Sequence, residues 1–194
     1  MSEKTEASLR EYYDQHVCYD SPMTNGKASD ICKAIGLRSE AGGVRFPVLV
    51  DLGCGTGEWV NFLDVTAGCE VFGFDYSIER LADAKSRFPF SRFELKTIEE
   101  AVAWAFGVDF KVNIWTLWDV LEHLEDPVKI LDSLQEFEPG GVIYASVPIN
   151  MPDPAHLHVW KTAGQLVDHL QPTQYTEWTH DGRDYALLRW NIFG

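Results

Sequence analysis

Positive charge is what this chain has least of: 16 Lys and Arg stand against 30 Asp and Glu in 194 residues, a formal net charge of −14. Such a self-potential repels polyanions. With no basic run to neutralise several phosphates, neither nucleic acid nor an anionic membrane is an expected partner. Cysteine is scarce as well. The four thiols, Cys18, Cys32, Cys54 and Cys69, form no C-x-x-C pair, which indicates neither a zinc site nor a disulfide framework and makes a reducing compartment the default. An apolar run of about 18 residues, enough to span a bilayer, is absent. So is the apolar stretch of a signal peptide, since the chain opens Met-Ser-Glu-Lys-Thr-Glu; a soluble cytoplasmic protein is expected. Internal repeats and low-complexity tracts are also missing. What is present is apolar mass: 45% hydrophobic residues, among them 11 Phe, 7 Tyr and 7 Trp. That suffices for a sizeable core and rules out disorder. At roughly 100–200 residues per domain, a single domain over residues 1–194 is expected.

From residue 47, short β-branched or aromatic runs end in Gly or Asp and give way to longer amphipathic stretches. This is the alternation of a parallel sheet with helices on both faces. Strands are expected at Pro47–Leu52, Glu70–Phe74, Arg92–Lys96, Phe110–Leu117 and Gly141–Val147, each mostly apolar as when both sheet faces are buried. Helical periodicity fills Trp59–Val65, Ile78–Phe88, Ile98–Phe106 and Val128–Phe137, the last behind Asp126-Pro127 with proline in a first turn. These elements form a core over residues 45–150. Ahead of it, within residues 1–40, Glu3–Leu37 reads as one or two helices packed on the body, carrying Tyr12, Tyr13 and Tyr19 and broken at Ser21-Pro22. Behind it, residues 151–194 are expected to supply a helix near Thr162–Leu170 and a hairpin of Thr173–Thr179 and Asp184–Ile192 about the turn Asp181-Gly182. The proline-rich Pro148–Pro154 is long for a connection, which hints at function.

The most informative stretch is Val48-Leu-Val-Asp51-Leu-Gly53-Cys54-Gly55-Thr-Gly57-Glu-Trp, an apolar strand running through three alternating glycines into a helix. Glycine permits a tight turn and close approach of a ligand to the backbone, so a nucleotide-like ligand is implied at the strand's carboxyl end. The dinucleotide fingerprint G-x-G-x-x-G fails in both registers, which end on Glu58 and Val60, and no Gly-Lys-Ser/Thr follows. A nicotinamide-dependent oxidoreductase is disfavoured accordingly. Asp51 suits a cationic amino group and would oppose a pyrophosphate. Asp75, about twenty residues further on, stands where an acidic side chain accepts from ribose hydroxyls; its plainer reading is a helix N-cap ahead of Ser77. The plainer reading of the loop is a β-α turn rich in glycine.

Three strings together resemble the class I S-adenosylmethionine-dependent methyltransferases, in particular the small-molecule and ubiquinone-pathway-like group. They are Asp51-Leu-Gly-Cys-Gly-Thr-Gly57, Phe74-Asp75-Tyr76-Ser77, and Trp118-Asp-Val-Leu-Glu-His-Leu-Glu-Asp-Pro127. The resemblance covers roughly residues 45–150. It implies a Rossmann-like α/β fold of seven strands, mostly parallel with a C-terminal antiparallel hairpin, and S-adenosyl-L-methionine as cofactor. It further implies that Asp51 and the backbone of Gly53, Cys54, Gly55 and Gly57 face the methionine part and that Asp75 holds the ribose. Tyr76 would lie against adenine, and Leu117 and Trp118 would run beside the methionine. After the third strand the family commonly carries an acidic residue for the adenine amino group; here that place holds Thr97-Ile98, with Glu99 and Glu100 beyond. The N-terminal tyrosines would then belong to a lid over the cofactor, or to a helix stripe packed on the body.

Methyl transfer from a sulfonium asks the protein for alignment and water exclusion, and a hydroxyl acceptor adds the need for a base, usually histidine. His123 and His156 are the candidates, with His158 beside them in Ala155-His-Leu-His-Val-Trp160. The alternatives are that His123 pins the following loop or caps a helix, that His156 and His158 face solvent, and that Trp160 packs at a helix start. A narrower resemblance is to the small-RNA 2′-O-methyltransferases, where a Glu-x-x-Glu-His string and a later histidine before a Trp bind a divalent metal. This chain offers Asp119, Glu122, His123 and His156 in similar order, which would suit Mg²⁺ or Mn²⁺. Asp in the first position and the acidic net charge weigh against that branch. The expected activity is methylation of a small-molecule acceptor at oxygen; the alternative is a non-catalytic or sensor protein that binds the cofactor.

Overall fold

The computed structural model describes residues 47–66, 70–137 and 141–192. The expected N-terminal helices with Tyr12, Tyr13 and Tyr19, and also Cys18, Cys32 and Cys69, lie outside the described residues. Strands β1 (Val48–Leu52), β2 (Glu70–Asp75), β3 (Arg92–Leu95), β4 (Ile114–Trp118) and β5 (Val142–Pro148) alternate with helices α1 (Glu58–Thr66), α2 (Ile78–Arg87), α3 (Ile98–Phe106) and α4 (Pro127–Phe137). Helix α5 (Ala163–Leu170) and the hairpin β6 (Gln174–His180) and β7 (Arg183–Asn191) follow. All seven strands join one sheet in the order β3-β2-β1-β4-β5-β7-β6. The first five run parallel, and β7 pairs antiparallel with both β5 and β6. The expected Rossmann-like architecture is thus the observed one. Among the described residues no helix is long and apolar enough to cross a membrane.

Strand parity explains the two-sided core. Val48, Val50 and Leu52 of β1 join Trp115 and Leu117 of β4 in one cluster, capped by Ala101 and Val102 of α3, Leu131 and Leu134 of α4 and Leu166 of α5. Leu49 points to the opposite face with Ile114 and Trp118, where Trp59, Val60 and Leu63 of α1 and Leu81 and Ala84 of α2 cover it. Every residue of β1 and β4 is buried, as a parallel sheet covered on both faces requires. The strand order reverses between β1 and β4, and ligands of open α/β sheets bind at the carboxyl ends beside such a switch point.

The fourth strand differs from expectation, since it begins at Ile114 rather than Phe110. Pairing starts where Asn113 N donates to Val48 O at 2.9 Å and Val48 N donates to Asn113 Oδ1 at 3.0 Å. Phe110 lies outside the strand and stacks on Phe72 at 5.4 Å with Trp104 alongside. Its apolar spacing looks like a strand's, but its role is to fill the space under α3.

Candidate functional site

At the switch point the glycine loop takes a left-handed backbone at Gly53, Gly55 and Gly57, with φ of 75°, 55° and 83°. Space as well as φ excludes side chains at two of them. A Cβ on Gly53 would lie 2.6 Å from Val120 Cγ2, and one on Gly57 would lie 2.5 Å from Phe93 Cζ. The main chain ties the loop to β2: the N–H groups of Gly53 and Cys54 both donate to Phe74 O, at 2.8 and 2.9 Å. Asp75 completes the tie, its Oδ2 accepting from Gly55 N and its Oδ1 from Ser77 N, each at 2.8 Å. Ser77, not Asp75, caps α2 by accepting from Arg80 N. Burial raises the Asp75 carboxyl above its ordinary value, and the Ser77 N–H and Arg80 guanidinium oppose that rise.

Asp51 sits deeper. In the parallel register it pairs with Thr116, whose hydroxyl donates to Asp51 Oδ1 at 2.6 Å. Burial pushes this carboxyl up to about 8, opposed by the Thr116 bond and reinforced by the charge of Asp75. Burial likewise raises the Cys54 thiol far above its usual range.

A cavity of about 390 Å³ opens beside these strand ends. Of the residues expected to hold the cofactor, Gly53, Asp75, Tyr76, Thr97 and Ile98 line it, and so do both histidine candidates, His123 and His156. Asp51, Cys54, Leu117 and Trp118 are buried behind the wall, Trp118 with its ring edge-on to Trp59 at 5.2 Å. Gly55 and Gly57 shape the loop without forming the cavity surface. Thr97 is the N-cap of α3 in a reciprocal capping box with Glu100, so Glu100 is committed to the helix end. Glu99, one residue earlier, is the acidic side chain that reaches the cavity there.

The opposite wall comes from the segment after β4 and the proline-rich connection after β5. Asp119 adopts φ 56°, and its Oδ1 accepts from Ser146 Oγ at 2.5 Å. A 3₁₀ turn over Leu121–His123 follows. The Glu122 carbonyl accepts from both Leu157 N, at 2.8 Å, and His158 N, at 3.1 Å, which stitches the connection to the turn. His123 Nδ1 lies 3.1 Å from Ala155 O and His156 Nδ1 lies 2.8 Å from Met151 O. A carbonyl can only accept, so both imidazoles carry a proton on Nδ1 and turn their Nε2 edge away from that bond. Their rings meet edge to face at 4.8 Å. Burial lowers the His123 pKa to about 4, so its ring is neutral near pH 7. His158 is directed elsewhere: its Nε2 bonds Leu124 O at 3.0 Å and its ring stacks on Trp160 at 5.3 Å. Trp160 is buried and donates to His169 of α5 at 3.2 Å, the packing role open to it from the sequence.

Four Lys or Arg and seven carboxylates line the cavity. The sequence reading passed over Arg80, Lys96, Lys129 and Arg183 among them. Arg183 and Tyr185 arrive from β7, more than twenty residues beyond the connection they face, and no local pattern announces such a contribution.

Residues 25–188 match the family described as a methyltransferase domain. Among curated proteins the chain is 31% identical over 149 residues to a trans-aconitate 2-methyltransferase of Rhodopseudomonas palustris, covering 74% of this chain and 51% of that protein. It is 33% identical over 110 residues to one of Variovorax paradoxus, covering 56% and 41%. The chain therefore spans about half the length of the curated relatives it matches. Among solved structures, the [4+2]-cyclase SpnF shares the fold with a TM-score of 0.70 at 13% identity, over 100% of this chain and 99% of that one. The magnesium protoporphyrin IX methyltransferase of Synechocystis, solved with its cofactor bound, has a TM-score of 0.55 at 13% identity, over 97% and 85%.

Proposed function

The chain belongs to the methyltransferase domain family, and from that premise we propose that it transfers the methyl group of S-adenosylmethionine to an oxygen of a small acceptor. The observation that carries this reading is the cavity itself, with Asp75 and the glycine loop on one wall and two Nδ1-anchored histidines on the other.

A carboxylate offers about four lone-pair directions. On Asp75 the backbone N–H groups of Gly55 and Ser77, joined by that of Tyr76, fix the side chain in the position from which it would meet the ribose hydroxyls. Tyr76, Thr97 and Ile98 flank the adenine, with Glu99 placed for its amino group. Gly53 would meet the methionine end, in the loop shaped by Cys54, Gly55 and Gly57, with Asp51, Leu117 and Trp118 behind it. There the cofactor's ammonium would draw Asp51 back towards its ionised form. The acceptor oxygen attacks the methyl carbon in line with the departing sulfur, and the protein's share is to hold both ends and exclude water. His123 and His156 stand at the acceptor end, each turning Nε2 towards the acceptor's proton.

Calorimetric titration with S-adenosylmethionine, S-adenosylhomocysteine and NAD tests the cofactor. Saturable binding of the two sulfur compounds is expected, and binding of NAD alone would overturn the reading. Incubation with trans-aconitate and a panel of small hydroxy and carboxylic acids, followed by mass spectrometry, tests the transfer. A methylated product is expected, whereas cofactor binding with no product from any acceptor would favour a binding protein without transferase activity.

A further inference from the structure

We propose that Arg80 sets the preference of the cofactor site between the sulfonium cofactor, S-adenosylmethionine, and its thioether product, S-adenosylhomocysteine. Its role rests on the placement proposed above, with the ribose at Asp75 and the methionine at Gly53. Sulfur is the atom that joins those two parts of the ligand. Gly55 is the residue that joins the two places in the protein, since it follows Gly53 by two positions and its N–H donates to Asp75 Oδ2 at 2.8 Å. Arg80 Nη1 lies 3.6 Å from where a Cβ on Gly55 would stand, so a guanidinium overlooks the stretch in which the sulfur would lie.

Helix geometry brings Arg80 there. Its N–H donates to the hydroxyl of the N-cap Ser77, which makes it the third residue of α2, and helical side chains lean towards the N-terminus of their helix. Arg80 therefore reaches back over the strand ends, where it lines the cavity and opposes the burial-driven rise of the Asp75 carboxyl. A cation in a first turn faces the positive end of the helix dipole, so α2 is not stabilised by this charge. The other cations of the cavity come from other elements. Lys96 follows β3 and pairs with Glu94 at 3.4 Å, Lys129 belongs to α4 and Arg183 to β7.

The two ligands share the adenosine, the ammonium and the carboxylate, and differ by one methyl group and one unit of positive charge. A fixed guanidinium repels the sulfonium and is indifferent to the thioether. During transfer the methyl carbon bonds to the acceptor oxygen, the C–S electron pair stays on sulfur and the acceptor's proton goes to the histidine base. The charge that Arg80 opposes then disappears. Repulsion present in the bound reactant and relieved as that charge is lost lowers the barrier, and the same bias holds the product more tightly than the reactant.

The test uses the full chain in calorimetric titrations with S-adenosylmethionine, S-adenosylhomocysteine and methylthioadenosine, the last carrying the ribose without the amino acid or the sulfonium. Arg80→Met is expected to shift the affinity ratio of the first two by roughly three- to tenfold towards S-adenosylmethionine. Arg80→Lys keeps the charge and is expected to retain most of the wild-type ratio. Whatever Arg80 does through Asp75 acts on all three ligands alike and cancels in the ratio, and methylthioadenosine measures it by itself. An unchanged ratio in Arg80→Met, or an equal shift in Arg80→Lys, would overturn the proposal. Arg80→Gln is read in the same way if the methionine variant fails to fold. Wild-type protein that binds neither sulfur compound removes the proposed function and the role of Arg80 with it, whereas binding of both with a ratio indifferent to the variants removes the role of Arg80 alone.

Discussion

The two walls of the cavity are built by opposite means. The cofactor wall is contiguous chain: a strand, three glycines with positive φ, and one aspartate that accepts two backbone N–H groups. The acceptor wall joins residues 119–123 to residues 148–160 through the Glu122 and Ala155 carbonyls, while the Met151 carbonyl holds His156 within the second segment. In the first, shape is enforced by sterics at positions that admit no Cβ. In the second, one main-chain tie at the Glu122 carbonyl sets the frame, and two histidine rings hang from carbonyls of that frame. The cofactor wall should therefore fail on small changes, while the acceptor wall should lose specific chemistry and keep its fold.

The largest effect is expected at Gly57. Alanine there meets Phe93 Cζ at 2.5 Å and must hold φ near 83°, which combines overpacking with a left-handed penalty. A loss of about 2–4 kcal/mol in urea unfolding is expected. A loss below about half a kcal/mol would mean that Phe93 yields easily and that this wall is softer than drawn. Next is Asp75→Ala, which strands two N–H groups and is expected to weaken S-adenosylmethionine by on the order of 1–3 kcal/mol in calorimetry; Asp75→Asn should fall between it and wild type.

The two walls also differ in how they answer to pH. Asp51 stays protonated in the folded chain up to about pH 8, while the unfolded carboxyl ionises from about 3.8. Its contribution therefore weakens the fold as pH rises across that window. His123 has the opposite sign: its ring is neutral down to about pH 4, against an ordinary value of 6.5, so stability is lost as pH falls through that interval. Melting temperatures of Asp51→Asn should fall less than those of wild type as pH rises from about 3.8 to about 8, and those of His123→Gln should fall less as pH drops from 6.5 to about 4. Coincident profiles for both variants and wild type would dissolve the contrast. The smallest effect is expected for His158→Ala, which loses one ring stack on Trp160 and one bond to Leu124 and should leave cofactor affinity as it was.

How legible each wall was in the sequence follows from the same contrast. Asp51, the three glycines and Asp75 lie within twenty-five residues and carry an unusual composition, so their spacing alone pointed to a ligand at a strand end. The sheet was readable because β1 and β4 are apolar throughout. The start of β4 was not, since Phe110 satisfies a helix cluster with the side chain a strand would use. On the acceptor wall the histidines could be named, but not which of them share a site. His156 and His158 are two residues apart, and only the carbonyls of Met151 and Leu124 decide that one faces the cavity and the other faces Trp160. Glu100 and Glu99 divide in the same way, one spent on a capping box and one left for the cavity.

The paired acceptance by the Glu122 carbonyl has a consequence for variation. A tie made from the N–H groups of residues 157 and 158 is blind to the side chains those residues carry, except that proline at either place deletes a donor. This stretch can therefore be rewritten while the scaffold stays intact. Beside it Met151 lines the cavity and lends only its carbonyl to the frame, which makes its side chain the handle for redirecting what the cavity accepts, and a place where descendants of one ancestor diverge without first having to relearn how to fold.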